Sequence, residues 1–382
     1  MDQVLQPVTK NTISCFMKTK FKQILDQFDI KGEPARVEPY GTGHINDTYR
    51  VINSNTKYPD YLLQKINNRI FKDIPGLMDN IRRVTEHLRK KLKDIPGSIP
   101  DREALSLIPS KSGDWYYHDE EGNYWRLYLF IKKHRSYDIV KNHAQAYEGG
   151  RMFGKFQALL ADIPGGALNE TIPGFHDINK RLDTFYQTRE ADPEKRAGDV
   201  KPEIDFVRSR VTEMGRILRL GQDGKIPERI THNDTKFNNV LLDHHDKGLC
   251  VIDLDTVMTG YVHYDFGDSI RTSANTASED EKDLSKVKMD INLFEGYAKG
   301  FLKETKDALT KTEIDNLAFS AKLMQFIIGL RFLTDHIDGD NYFKTAYPDH
   351  NLIRARTQFK LVESAEEQFS RMEDIIRRIC SE

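Results

Sequence analysis

Three oxygen-bearing side chains set the chemistry to consider: Asp234, Asn239 and Asp253. Residues 239–242 read as a strand, 244–248 as a turn ending on glycine, and 249–254 as the return strand of a hairpin. Pairing the two strands about that turn sets Asn239 opposite Asp253, with Asp234 shortly upstream. An amide oxygen beside a carboxylate is what a magnesium–nucleotide site requires, because hard cations take oxygen ligands and magnesium is held by one or two carboxylates plus substrate phosphates. The competing reading is a polar loop and hairpin whose carboxylates merely cap turns. The full spacing together with an apolar return strand, Leu249-Cys250-Val251-Ile252, favours the metal-compatible reading.

These residues also carry a resemblance. His232-x-Asp234-x-x-x-x-Asn239, followed by the strand ending in Asp253, resembles the catalytic core of the aminoglycoside phosphotransferase and choline kinase-like superfamily within the protein-kinase-like fold. Asn233 stands where protein kinases carry arginine. The closest likeness is to the N-acetylhexosamine 1-kinases, carried by His-Asn-Asp-Thr-Lys at 232–236, Val-Ile-Asp-Leu-Asp-Thr at 251–256 and Gly-His-Ile-Asn-Asp-Thr at 43–48. Together these stretches span residues 40 to 345. The resemblance implies magnesium-dependent transfer of the ATP γ-phosphoryl group to the anomeric hydroxyl of N-acetylglucosamine or N-acetylgalactosamine. Other hydroxyl acceptors (choline, homoserine, an aminoglycoside) and a catalytically silent nucleotide-binding protein are the alternatives.

On that reading Asp234 accepts the acceptor hydroxyl's proton, and Lys236 offsets charge on the γ-phosphate. Positioning matters more than basicity in a loose phosphoryl-transfer transition state. Asn239 and Asp253 hold the magnesium, and Asp255 is either a second ligand or a structural partner. His232 shapes the loop by hydrogen bonding. Asp265-Phe266-Gly267 spells the kinase metal motif, but it lies beyond Gly260 and outside the hairpin. Asp265 is therefore expected to be structural, accepting backbone amides of the catalytic loop.

The elements that must position these groups point to an α+β, two-lobed protein-kinase-like fold. A small nucleotide-binding lobe with an antiparallel sheet is expected over residues 1–131, and a mostly helical catalytic and acceptor-binding lobe over 132–382. Strands are expected at 37–40, 48–51, 61–66, 104–108, 115–118 and 124–131. Gly41, Thr42 and Gly43 read alone as an ordinary hairpin turn and, coupled to the downstream hairpin, as a glycine turn able to approach phosphate. Lys65 or its neighbour Gln64 faces the phosphates, since alternate strand positions point to opposite faces. Leu77, Ile81, Val84 and Leu88 line one face of the next helix, which leaves Glu86 turned to water and Lys65 without the usual glutamate partner. Phe130, in the apolar run 127–131, belongs either to the adenine hinge of a kinase-like fold or to a buried core strand.

The second lobe reads as helices around 149–160, 183–189, 204–220, 317–333 and 361–379. Arg331, in an apolar helix, requires a partner. Either it pairs with Asp335 one turn on, or Arg331, Asp335 and Tyr342 join His44 and Asp234 in binding the acceptor.

Composition narrows the partners. With 57 basic and 59 acidic residues the net charge is −2, so nothing attracts nucleic acid or an anionic membrane. Cys15, Cys250 and Cys380 lack metal-ligand spacing and read as free thiols of the cytosol. No apolar run reaches the length expected of a membrane span. Oligomeric state is not encoded in any pattern found.

Overall fold

The computed structural model describes residues 20–41 and 45–382. It divides into two compact units: residues up to Glu86 with Ala104–Lys132, and His87–Glu103 with Lys133–Glu382.

The first unit is built on one antiparallel sheet. Its strands are β1 (Pro34–Pro39), β2 (Asp47–Asn53), β3 (Tyr61–Ile66), β4 (Leu107–Ile108), β5 (Tyr117–His118) and β6 (Tyr124–Leu129), in the order β1-β2-β3-β6-β4 with β5 on β6. Alternation sorts the side chains. Val51, Tyr61, Leu63, Trp125 and Leu127 share one face and bury it against Ile24 and Leu25 of helix α1 (residues 20–25) and against Phe28 just beyond it. Helix α2 (Ile74–Lys93) buries Leu77, Ile81, Val84 and Leu88. Glu86 is exposed on its far side, bonded to Arg82 at 2.9 Å, as the helical period requires.

The second unit is mostly helical: α3 (Pro100–Glu103), α4 (His143–Leu160), α5 (Ile178–Ala191), α6 (Lys201–Met214), α7 (Arg216–Gln222), α8 (Val262–Ser273), α9 (Ile291–Thr305), α10 (Lys311–Asp315), α11 (Leu317–Ile337), α12 (His350–Glu367) and α13 (Phe369–Ser381). Two helices expected as single pieces are broken: 204–220 is split at Gly215, and the last helix is two, joined at Gln368. α4 and α9 cross closely because glycines face each other's backbone. A Cβ at Gly150 would fall 2.1 Å from the Tyr297 carbonyl oxygen, and one at Gly300 2.0 Å from that of Tyr147. By length and composition α11 is apolar enough to cross a bilayer, whereas no apolar run of that length was expected. Yet 89% of its apolar window is buried inside the protein, where Phe319, Met324, Phe326, Ile327 and Leu330 form the core with α6 and α12.

Two small ladders sit among these helices. β7 (Arg229–Thr231) pairs antiparallel with β10 (Met258–Gly260), and β8 (Val240–Leu242) with β9 (Gly248–Val251).

Candidate active site

The loop leaving β7 is held from three directions. Asn233 takes a left-handed conformation, φ 63°, which asparagine tolerates better than most residues. Its side-chain amide donates to the carbonyls of Thr231 and Thr256, and the Thr256 hydroxyl donates to the His232 carbonyl at 2.7 Å. From α8, the Asp265 carboxylate accepts the backbone amides of His232 at 2.8 Å and Asn233 at 2.7 Å, while Gln157 of α4 donates to it at 2.6 Å. One turn on, Asp268 accepts the Thr235 amide at 2.9 Å, and Ser269 donates to the Thr235 carbonyl. Burial raises the Asp265 carboxyl pKa, against the pull of His232 and the amides it accepts. The carboxylate is thus shared between two loop amides and the Gln157 side chain.

His232 is buried, with its ring edge-on to Phe153 and Phe156. Its Nδ1 accepts the Asp234 amide at 3.3 Å and its Nε2 donates to the Ile252 carbonyl at 2.9 Å, so both ring nitrogens serve backbone groups.

The loop presents Asp234. Lys236 Nζ lies 3.1 Å from Asp234 Oδ2. Asn239 Nδ2 donates to the Asp234 carbonyl at 2.8 Å and approaches Oδ2 at 3.4 Å. Spending the amide nitrogen this way leaves Asn239 Oδ1, an oxygen of the kind a hard cation accepts. The Lys236 ammonium is held protonated well above the usual lysine range, chiefly by Asp234 and, after burial opposes it, by Asp253.

The hairpin register differs from the expected one. Val240 pairs with Val251, and the Ile252 amide donates to the Asn239 carbonyl at 2.9 Å, so Asn239 stands opposite Ile252 rather than Asp253. A register shift between Leu241 and Leu242 absorbs a residue of the return strand. β9 then ends at Val251, and Asp253 turns left-handed, φ 63°, to start the 3-10 turn Leu254–Thr256. Asp255 is consequently buried in that turn and does not share a strand face with Asp253.

Asp253 remains in the same charge cluster. Its carboxyl is pushed up to about 6, first by the surrounding protein mass that strips its hydration, then by Asp255 and Asp234, with Lys236 opposing. Its side chain is nonetheless open to water. Three crowded carboxylates with one ammonium leave a negative excess that a divalent cation would relieve. No group of three or more His, Cys, Asp or Glu side chains is arranged to hold a metal among the described residues. Asp253 and Asn239 Oδ1 are the oxygens that would hold such a cation, with phosphate and water supplying the rest.

Of the residues expected to bind nucleotide, Thr42 and Gly43 lie outside the described residues, as does His44 from the acceptor set. Gly41 is exposed with φ +77°. Gln64 and Lys65 sort to opposite faces. Gln64 donates to the Thr48 hydroxyl at 3.0 Å and accepts from Arg126 Nε at 2.9 Å, on the polar face. Lys65 stands across from Trp125, on the face that α1 covers. Phe130 packs under the Arg50 guanidinium and edge-on to Tyr40, with its amide donated to the Asp60 carbonyl.

The acceptor residues need one correction. Asp335 accepts the amides of Tyr342 and Phe343 at 2.7 and 2.9 Å and the side chain of Asn351 at 2.8 Å. It is buried and holds the segment after α11, and among the described residues no ion pair joins it to Arg331. Arg331 instead lies against the rings of Phe175, Tyr342 and Phe343 at 5.0, 5.6 and 5.3 Å. Three residues escaped the sequence reading. His176 donates to the Asn233 carbonyl at 2.9 Å, and burial drops its pKa to about 3, so it is neutral. Phe175 and Arg181 flank it. Only Pro173-Gly174 marked this segment in the sequence, and that signalled a loop.

Comparisons with known proteins bear on the family and the fold. A family model described as "Phosphotransferase enzyme family" matches residues 36–298. Among solved structures, an amicoumacin kinase in complex with AMP-PNP, Ca2+ and its ligand superposes with a TM-score of 0.58 at 14% identity, covering 96% of each chain. A spectinomycin phosphotransferase in complex with ADP and spectinomycin gives 0.58 at 11% identity, covering 92% of this chain and 98% of the other. Choline kinase from Cryptosporidium parvum Iowa II gives 0.57 at 14%, covering 96% and 100%. At these identities the likeness is one of fold: an antiparallel sheet followed by a mostly helical part.

Proposed function

Because the chain belongs to the phosphotransferase enzyme family, we propose that it transfers the γ-phosphoryl group of ATP, with a divalent cation, to the anomeric hydroxyl of an N-acetylhexosamine. The observation that carries the phosphoryl-transfer reading is the cluster in which Asp234 holds Lys236 at 3.1 Å and the Asn239 amide, with Asp253 electrostatically coupled to Asp234 and Lys236. Asp234 accepts the hydroxyl proton as the oxygen attacks phosphorus. Lys236 neutralises charge on the transferred group. Asn239 and Asp253 would hold the cation, which supplies charge neutralisation at the phosphates. His232 and Asp265 keep the loop backbone in place.

In the first unit, Gly41, Thr42, Gly43 and Phe130 are proposed for the nucleotide, with Gln64 on the polar face preferred to Lys65. His44, Arg331 and Tyr342 are proposed for the acceptor. The nucleotides and Ca2+ held by the superposable kinases support ATP and a divalent cation. The sugar rests on the motif likeness at 43–48, 232–236 and 251–256. An anomeric hydroxyl is more acidic than an ordinary alcohol, so it suits a carboxylate base.

The test is ADP release from magnesium ATP against N-acetylglucosamine, N-acetylgalactosamine, choline, homoserine and an aminoglycoside, with phosphorus NMR for coupling to an anomeric proton. Asp234→Asn should lower kcat by roughly 10²–10⁴-fold. Release with choline alone would replace the sugar reading, and release undiminished in Asp234→Asn would remove the base.

A further inference from the structure

α4 carries a buried carboxylate that the proposed chemistry does not use. Glu148 accepts Arg151 Nε and Nη2 at 3.0 and 2.7 Å, the Gly248 backbone amide at 2.9 Å and Lys247 Nζ at 3.3 Å. Arg151 Nη2 in turn donates to the Gly248 carbonyl at 3.4 Å. Both backbone groups of Gly248, the first residue of β9, are therefore held by one i, i+3 ion pair on a helix distant in sequence. Gly248 comes this close because it has no side chain: a Cβ there would fall 2.2 Å from Met152 Cγ. The turn beside it is gripped as well. Asp246, left-handed at φ 58°, accepts the Tyr137 hydroxyl at 2.8 Å and Gln145 Nε2 at 3.1 Å, and Gln145 lies one turn before Glu148 on α4. On β8, the Leu242 amide and carbonyl bond the carbonyl and amide of Arg135 at 2.9 and 2.8 Å.

The other end of β9 is fixed to the same helix. Phe153 and Phe156 of α4 hold the His232 ring edge-on, and His232 Nε2 bonds the Ile252 carbonyl at 2.9 Å. From Glu148 to Phe156 is eight residues of helix, about 12 Å. From Gly248 to Ile252 is four steps of strand, about 13 Å. The two spans agree to within one strand step, so the anchorages are met together with four steps of chain between them. A slip of one residue moves the strand by about 3.3 Å and turns each side chain to the opposite face, which breaks one anchorage or the other. This hairpin needs such a constraint. It is short, its register shifts between Leu241 and Leu242, and it ends with Asn239 opposite Ile252, the residue directly before Asp253.

We propose that Glu148, with Arg151, is a positioning residue: the pair fixes the register of the β8–β9 hairpin at its far end and thereby sets where Asp253 stands relative to Asn239. The fixing of register is independent of what the site does, whereas its consequence for a cation rests on the reading of Asn239 and Asp253 as the oxygens that would hold one. Removing the buried Glu148 carboxylate leaves the Gly248 amide and the Arg151 guanidinium without their acceptor. The return strand is then free to shed the irregularity at Leu241/Leu242 and carry Asp253 away from Asn239.

Amide hydrogen exchange by NMR on the full chain tests this. It compares Ile252, whose amide bonds the Asn239 carbonyl, with Leu330 in the core of α11, which reports global opening. In Glu148→Ala, Ile252 should exchange at least about tenfold faster relative to Leu330, and Glu148→Gln, which keeps an oxygen for the Gly248 amide, should recover most of that protection. Manganese titration should show a dissociation constant about tenfold higher in Glu148→Ala and largely restored in Glu148→Gln, while ADP affinity measured with chelator stays unchanged. A general loss of fold would instead weaken both ligands and loosen Leu330. An unchanged Ile252-to-Leu330 ratio in Glu148→Ala, or a Glu148→Gln protein as loose as Glu148→Ala, overturns the proposal. Should Glu148→Ala not fold, the wild type decides: the Gly248 and Ile252 amides should open together with the same urea dependence, and a Gly248 amide exchanging about tenfold faster or more overturns the proposal. Manganese binding that depends on Asp253 but is untouched in Glu148→Ala also overturns it and leaves the kinase reading standing. Loosening of Ile252 in Glu148→Ala, with manganese binding indifferent to Asp253→Asn, removes the cation reading and upholds the register device.

Discussion

Asp253 shows how much of this site is set by electrostatics that no spacing rule contains. Its carboxyl titrates near 6 because Asp255 and Asp234 crowd it after the protein removes part of its water. The folded-state value lies above the ordinary 3.8, so between those two the folded chain holds more protons than the unfolded one. This group's contribution to stability is then greatest below about pH 4 and is lost as pH rises through about 6. A cation takes only the ionised form, so affinity moves the other way. Titrating manganese into the nucleotide-free protein should show a dissociation constant rising about tenfold per pH unit below pH 6. Asp253→Asn should bind weakly at every pH, without that slope. An unchanged slope in Asp253→Asn would place the titrating ligand elsewhere. The sequence named Asp234, Lys236, Asn239 and Asp253 because their types and order suffice. It could not name Phe175, His176 or Arg181, whose nearness to Asp234 is created by packing among distant helices.

Between residues and the whole, α8 is the element that sets the loop. Asp265, Asp268 and Ser269 fall on one helical face by the i, i+3, i+4 rule and together take two backbone amides of the loop, a third from Thr235, and its carbonyl. Asp265→Ala strands the buried amides of His232 and Asn233 and the Gln157 side chain. It should destabilise the protein by about 3 kcal/mol or more, measured by urea unfolding. Magnesium affinity of the fraction that folds should be retained; its loss, with Asp253→Ala unaffected, would make Asp265 the ligand after all. Helix packing yields a sharper contrast. Gly150→Ala forces α4 away from α9, at about 1–3 kcal/mol of overpacking, whereas Gly198→Ala meets nothing within 4 Å and should be near neutral. Equal denaturation midpoints for the two would refute the close crossing. At this scale β3 and the apolar face of α2 were readable from period alone. The hairpin was readable in kind but not in register, since the shift at Leu241/Leu242 and the left-handed Asp253 carry no residue signature. The β7–β10 ladder, three residues on each side, is too short to leave a periodic trace.

For the whole chain, near-balanced charge and a long buried apolar helix describe a protein whose interior, not its surface field, organises the chemistry. α11 supplies Arg331 to the rings of Phe175, Tyr342 and Phe343 and Asp335 to the segment bearing Tyr342, and it carries the core of the helical unit on its other faces. A ligand that engages the catalytic cluster therefore stabilises the folded state by mass action, by about 2.7 kcal/mol at a hundredfold excess over its dissociation constant. Magnesium ADP should accordingly raise the thermal unfolding midpoint by several degrees over ADP with chelator. With Asn239 and Asp253 as the residues that would hold the cation, Asp253→Asn should shift with ADP but show no further rise with magnesium. Asp265→Asn, destabilised at the outset, should still gain the magnesium increment from its lower starting point. Scanning calorimetry of the three proteins, with and without the cation, separates the two aspartates by a readout that needs neither turnover nor knowledge of the acceptor. A magnesium increment preserved in Asp253→Asn would show the cation held without that carboxylate.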